Sequence, residues 1–253
     1  MYFDSHAHYD DERFDEDRES LLEALPKHRV GRVVNAAADM KSTYTGVELA
    51  KKYSYMYCSV GVHPHEVKEL EEKDIETLKK LSKEEKVVAI GEIGLDYYYD
   101  FSPREEQRKW FKRQLELAKE VQLPVIIHSR DACQETFDLI HESGVSEGVI
   151  HCFSGSKELA KEYVKKGFYI GIGGSCTFKN AKKTVEVIKA IDLEQILIET
   201  DAPYLTPIPY RGERNDSSYL KYVVQKISEL KGVSTTEVED ITYANALRMF
   251  KMT

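Results

Sequence analysis

Along this chain, short apolar runs rich in β-branched residues alternate with longer segments whose apolar positions return every three or four residues. The runs at 1–3, 32–36, 57–61, 87–91, 124–127, 148–150, 168–172 and 196–198 predict eight strands. Between and after them, 15–25, 42–53, 74–81, 104–121, 131–143, 157–166, 180–191, 218–231 and 235–250 predict helices. Within 104–121, Phe111, Leu115 and Ala118 share one stripe while Arg, Lys and Glu take the rest of the surface. Most strand runs are apolar at consecutive positions, the pattern of a parallel sheet covered on both faces. Eight β/α units in 253 residues predict a closed (β/α)8 TIM barrel, with a doubly wound open sheet as the alternative. No low-complexity or Pro/Gly/Ser-rich break interrupts the pattern, so 1–253 reads as one domain.

Residues of ligand type sit at the ends of these runs. His6 and His8 follow the first, and strand alternation puts both on one face, within reach of one metal ion. Glu92, His128, His151 and Asp201 each end another run, and a barrel gathers the C-terminal ends of its strands at one mouth. Glu92 lies between Gly91 and Ile93-Gly94; its two oxygens suit it to bridge two divalent cations. Asp201 can ligate a metal and also take a proton from an activated water, and Pro203 and Pro207 are expected to keep its surroundings extended.

Other residues carry two readings. His63 and His65 form a second HxH after the third strand, suited to a substrate phosphate or leaving group, or else simply loop residues. Arg130 and, in the polar loop 207–216, Arg211 and Arg214 suit phosphate recognition. Asp96 either orients a ligand or forms a turn, and Asp131 is either a helix N-cap or a catalytic group. Glu199 can support the ligands from behind, and Asp4 either does the same or is a structural carboxylate. Tyr97, Tyr98, Tyr99 and Phe101 offer faces for base stacking or pack a long loop. Trp110 reads as structural, and Cys152 as packing beneath the site.

Composition narrows the function. Hydrophobic residues make up 42% and charged residues 32%, ordinary for a globular protein. No run approaches a membrane span, no secretory leader is recognisable, and four cysteines without CxxC spacing fit a reducing compartment, so a cytoplasmic location is expected. A net charge of −8 argues against a broad duplex-gripping surface. An anionic substrate has to be held locally, by bound cations and a few basic side chains.

Taken together, Asp4-Ser-His-Ala-His8, Gly61-Val-His-Pro-His65, Gly91-Glu-Ile-Gly-Leu-Asp96, His128-Ser-Arg-Asp131, His151-Cys-Phe-Ser-Gly155 and Glu199-Thr-Asp-Ala-Pro-Tyr204 resemble the TatD family of metal-dependent deoxyribonucleases. The resemblance implies an amidohydrolase-type TIM barrel, two divalent metal ions (Mg²⁺, Mn²⁺ or Zn²⁺) and a 3′ to 5′ exonuclease acting on DNA, with no obligatory protein partner. It implies His6, His8, Glu92 and Asp201 around one metal, Glu92, His128 and His151 around the other, and Asp201 as proton acceptor. Alternatives are an ester or amide hydrolase, such as one acting on misacylated tRNA or a small metabolite, and a non-catalytic binding barrel. Where the family often has Arg-Asn-Glu-Pro, this chain has Arg214-Asn-Asp-Ser217, and loss of the proline is expected to loosen that loop.

Overall fold

A computed structural model of the chain describes residues 1–252. The strands are β1 (Tyr2–Ala7), β2 (Val30–Asn35), β3 (Met56–Val60), β4 (Val87–Asp96), β5 (Val125–Arg130), β6 (Gly148–Ile150), β7 (Phe168–Ile172) and β8 (Ile196–Ile198). The helices are α1 (Arg18–Ala24), α2 (Met40–Lys52), α3 (Glu72–Leu81), α4 (Arg104–Val121), α5 (Cys133–Ser143), α6 (Lys157–Lys165), α7 (Lys182–Ala190), α8 (Leu220–Lys231) and α9 (Thr235–Met249). Each strand pairs in parallel with the next from β1 to β8. The ring is drawn together just beyond β8, where His8 N–H donates to the Ala202 carbonyl at 2.7 Å and Asp201 N–H donates to the His6 carbonyl at 2.9 Å. The expected (β/α)8 TIM barrel is therefore present.

Side-chain parity along the strands separates two cores. On β5, Val125 and Ile127 pack outward against the helices while Ile126 joins an inner cluster with Phe3, Val149, Leu197 and Phe250, the last from the end of α9. Counting on from Ile126, Val149 and Leu197, the inner positions nearer the mouth are His128, His151, Glu199 and Asp201. The apolar floor thus passes directly into a polar layer of His and carboxylate side chains.

Three strands outrun their apolar signal. β1 extends to Ala7, β4 to Asp96 and β5 to Arg130, so His6, Glu92 and His128 lie within strands rather than after them. Their polar side chains ended the hydrophobic run without ending the pairing. The register is irregular between Asp4 and Ala7 and between Ile90 and Ile93, flanking His6 and Glu92. At Gly94 the backbone has φ +150°, and a Cβ would lie 1.9 Å from the His128 carbonyl oxygen, so only glycine lets β4 and β5 meet there.

Candidate metal centre

Glu92 is the hub. Its buried carboxylate places Oε2 3.3 Å from His6 Nε2 and 3.7 Å from His8 Nε2, and Oε1 2.9 Å from His128 Nδ1, 3.7 Å from His63 Nε2 and 4.0 Å from His151 Nε2. Asp201 Oδ1 stands 3.5 Å from His8 Nε2 and 3.7 Å from both His6 Nε2 and His151 Nε2. The ligand atoms of His6–Glu92–His151, of His6–His8–Asp201 and of His63–Glu92–His128 each lie within 4.8 Å of one another. Three overlapping triads sharing His6 and Glu92 match the donor set of a divalent cation centre.

Ring nitrogens converge here at hydrogen-bond distance. His8 Nδ1 lies 2.9 Å from the Ala36 carbonyl, which can only accept, so Nδ1 carries the proton. In the neutral ring His8 Nε2 is then bare, yet it lies 3.0 Å from His6 Nε2 and faces Asp201. A proton on His6 Nε2, a proton on His8 Nε2 or a metal ion resolves that contact. Burial disfavours charge on His8, but Asp201 and Glu92 outweigh it and lift the imidazole to about 9. His151 is lifted to about 10, against burial, by Glu199, Glu92 and Asp201. Against its own burial, Glu92 is held well below the usual carboxylate range by His6, His63 and His151.

A second layer of carboxylates surrounds these histidines. Asp96 Oδ2 sits 3.0 Å from His128 Nε2 and 2.9 Å from His65 Nε2, turning His128 Nδ1 toward Glu92. Its Oδ1 accepts from the Tyr98 and Tyr99 N–H groups, so this carboxylate both fixes the His128 ring and forms the turn. Glu199 Oε1 accepts from Cys152 N–H at 2.6 Å and lies 3.1 Å from His151 Nδ1. Asp4 accepts from Thr200 N–H and Oγ1, Ser217 Oγ and His6 N–H, tying β1 to the segment after β8.

Among the basic candidates, His63 joins the cluster at Glu92, its ring 4.3 Å from that of His128, while His65 is held by Asp96. Arg130 is exposed and lies over the Tyr98 and Tyr99 rings. Arg211 lies over Phe178. Arg214 is engaged elsewhere, donating to both Asp17 oxygens and to the Arg13 carbonyl.

Three local expectations change. The loop with Ser217 in place of proline is pinned: Asn215 donates to the Thr200 and Tyr204 carbonyls, and Ser217 Oγ to Asp4, with both residues fully buried. Asp131 is not the N-cap of α5, which starts at Cys133 after Ala132; its φ is +53°. Nor is the stretch after Asp201 extended, because Asp201 has φ +57° and its carbonyl accepts from Tyr204 N–H at 2.7 Å. The sequence gives no sign that Thr200 and Ser217 bind Asp4; Thr200 stands out only by its place between Glu199 and Asp201, and Ser217 only as the residue in place of proline.

Residues 3–251 match the family described as TatD related DNase. The chain is 45% identical over 254 residues, covering 100% of both proteins, to the uncharacterized metal-dependent hydrolase YabD of Bacillus subtilis. It is 31% identical over 258 residues, covering 99% of both, to the 3'-5' ssDNA/RNA exonuclease TatD of Salmonella typhimurium. Among solved structures, the TatD homolog YJJV of Escherichia coli superposes with a TM-score of 0.94 at 31% identity, covering 100% of this chain and 98% of that one.

Proposed function

This chain belongs to the TatD related DNase family and is a metal-dependent hydrolase, and on that premise we propose that it is a deoxyribonuclease acting on single-stranded 3′ ends with two divalent cations at Glu92. The observation that carries the reading is one buried carboxylate whose two oxygens divide five imidazoles between them. We assign His6, His8, Glu92 and Asp201 to one cation and Glu92, His128 and His151 to the other. Bound there, the pair would supply Lewis acidity that lowers the pKa of water from 15.7 toward about 7 and offsets charge on the entering and leaving oxygens.

The protein's own groups do the rest. Asp201, kept ionised against its burial by His151, His8 and His6, is the acceptor for the proton of the attacking water, at its Oδ1. Asp96 holds His128 in place, and Glu199 faces His151 Nδ1 at 3.1 Å. His63, His65, Arg130 and Arg211 are assigned to the phosphate and leaving group; Arg214 is better suited to fixing its loop on Asp17. A chain of net charge −8 meets an unpaired end more readily than the many phosphates of a duplex. The exonuclease name of the Salmonella relative favours the same substrate. No helix among the described residues is long and apolar enough to cross a membrane, the four cysteines are free thiols, and we place the enzyme in the cytoplasm.

Digestion of a single-stranded oligonucleotide labelled separately at each end tests this, using metal-stripped protein with Mg²⁺ or Mn²⁺ restored. Stepwise shortening from the 3′ end that requires the metal is the expected result. An intact oligonucleotide in the presence of two bound metals would overturn it and direct attention to ester and amide substrates.

A further inference from the structure

The large hydrophobic side chains exposed among the described residues are Met1, Tyr44, Tyr98, Tyr99, Phe101 and Tyr204. Four of these six are aromatic rings at the edge of the metal centre, one beside His8 and three in the loop beside His65. Tyr204, 44% exposed, stands with its ring centroid 6.4 Å from that of His8, on the Oε2 side. Tyr99 and Phe101 stand 5.4 and 4.8 Å from His65, which shares Asp96 with His128 on the Oε1 side. Tyr98, Tyr99 and Phe101 are 58%, 46% and 59% exposed, with Arg130 lying over the Tyr98 and Tyr99 rings and Tyr99 stacked on Phe101.

Both groups are held rigidly, as stacking surfaces must be. Arg13 lies 4.0 Å from the Tyr204 ring centroid and is itself clamped by both Asp11 oxygens, so it backs one face of the ring and leaves the other free. Tyr99 and Phe101 are stacked on one another at 5.1 Å, and Asp96 fixes their loop through the Tyr98 and Tyr99 N–H groups. Arg130, 4.1 Å from the Tyr98 centroid, has no ion-pair partner among the described residues and is available to a backbone phosphate. Exposed rings beside a guanidinium without an ion-pair partner are what single-strand binders present to unpaired bases.

We infer that Tyr204 on one side and the Tyr98–Tyr99–Phe101 group on the other are base-stacking platforms seating the two nucleotides that flank the scissile phosphate, with Arg130 on the backbone beside the second platform. The inference rests on the nuclease reading above and deepens it. It makes the preference for single strands a property of these rings, since paired bases are already stacked and present no free face.

The test compares kcat/KM on a single-stranded oligonucleotide with that on the same strand made abasic at its 3′-terminal or its penultimate position. Wild-type holoenzyme should favour the intact strand by about tenfold at each position, the scale of one base stack. Tyr204→Ala should bring that ratio close to one at one position only, and Tyr98→Ala combined with Phe101→Ala at the other; Tyr204→Phe should keep it. Cleavage of both strands with ratios near one in the wild type, or variants that slow intact and abasic strands alike, would overturn the platforms while the nuclease reading stands. Failure of the wild type to cleave any strand would remove the nuclease reading and the platforms together.

Discussion

Ser217 Oγ donates a 2.6 Å hydrogen bond to Asp4 Oδ2, across 213 positions of sequence. Tyr9 completes the chain, its hydroxyl lying 2.7 Å from Ser217 Oγ and accepting from Ser217 N–H at 2.8 Å. Because the serine proton goes to Asp4, the tyrosine proton goes to the serine, and each bond polarises the next. All three residues are fully buried, so an unmade bond there leaves a polar group without solvent. Ser217→Ala should therefore destabilise the protein by about 1–3 kcal/mol in denaturant unfolding. Ser217→Pro removes the N–H donor as well and should cost more. A proline variant as stable as the parent would show that the serine adds nothing to this loop.

Glu92→Gln keeps the volume of the hub but removes the charge that two cations would share. Bound metal measured by elemental analysis should fall from two ions per chain toward one or none, and activity should be lost with it. Asp201→Asn should cut kcat by about 10²–10⁴-fold, the usual reach of a proton acceptor. If Glu92→Gln still carried two ions, another group would have to be the bridge.

Metal binding should release protons. In the metal-free protein His8, lifted to about 9, and His151, lifted to about 10, both carry a proton at neutral pH, and a cation has to displace it. Affinity should rise as pH is raised through this range, and the binding heat at neutral pH should depend on the ionisation enthalpy of the buffer. The same shifts set the stability of the metal-free protein. An imidazole raised above its ordinary 6.5 stabilises the fold fully below that pH, and the contribution is lost as pH rises through about 9. Binding heats that are the same in every buffer would show that the metal-free site is unprotonated.

How much of this was legible depends on what each strand contains. The limits of β6, β7 and β8 coincide with apolar runs at 148–150, 168–172 and 196–198, because those strands contain no polar ligand. β1, β4 and β5 were read short, because hydropathy alone cannot distinguish a strand's end from a strand that turns polar on its inner face. His63 was visible as part of a second HxH, but its 3.7 Å approach to Glu92 depends on how β3 and β4 pair, which no local pattern encodes. Ser217 and Asp4 gave no signal of their contact, since it arises only when the segment after β8 folds back over β1.

Gly171 is where the packing of the barrel and the aim of a ligand meet. It lies on β7 opposite Leu197 of β8, and a Cβ there would come 2.5 Å from Glu199 Oε2 and 2.9 Å from Oε1. Glu199 is fully buried and lies 3.1 Å from His151 Nδ1, so it has no solvent-filled space to retreat into. Gly171→Ala must therefore push the carboxylate off His151 or strain the β7–β8 pairing. If the first dominates, metal affinity should fall about 10–100-fold, the range seen when a ligand histidine loses its orienting partner. Competition with a chelator measures it, alongside unfolding to confirm that the barrel is intact. Adding Glu199→Asp to Gly171→Ala shortens the side chain by one methylene and frees the contested space, so the double variant should bind metal more tightly than Gly171→Ala alone. Equal affinity in the wild type and in a well-folded Gly171→Ala would show that His151 holds its orientation without Glu199.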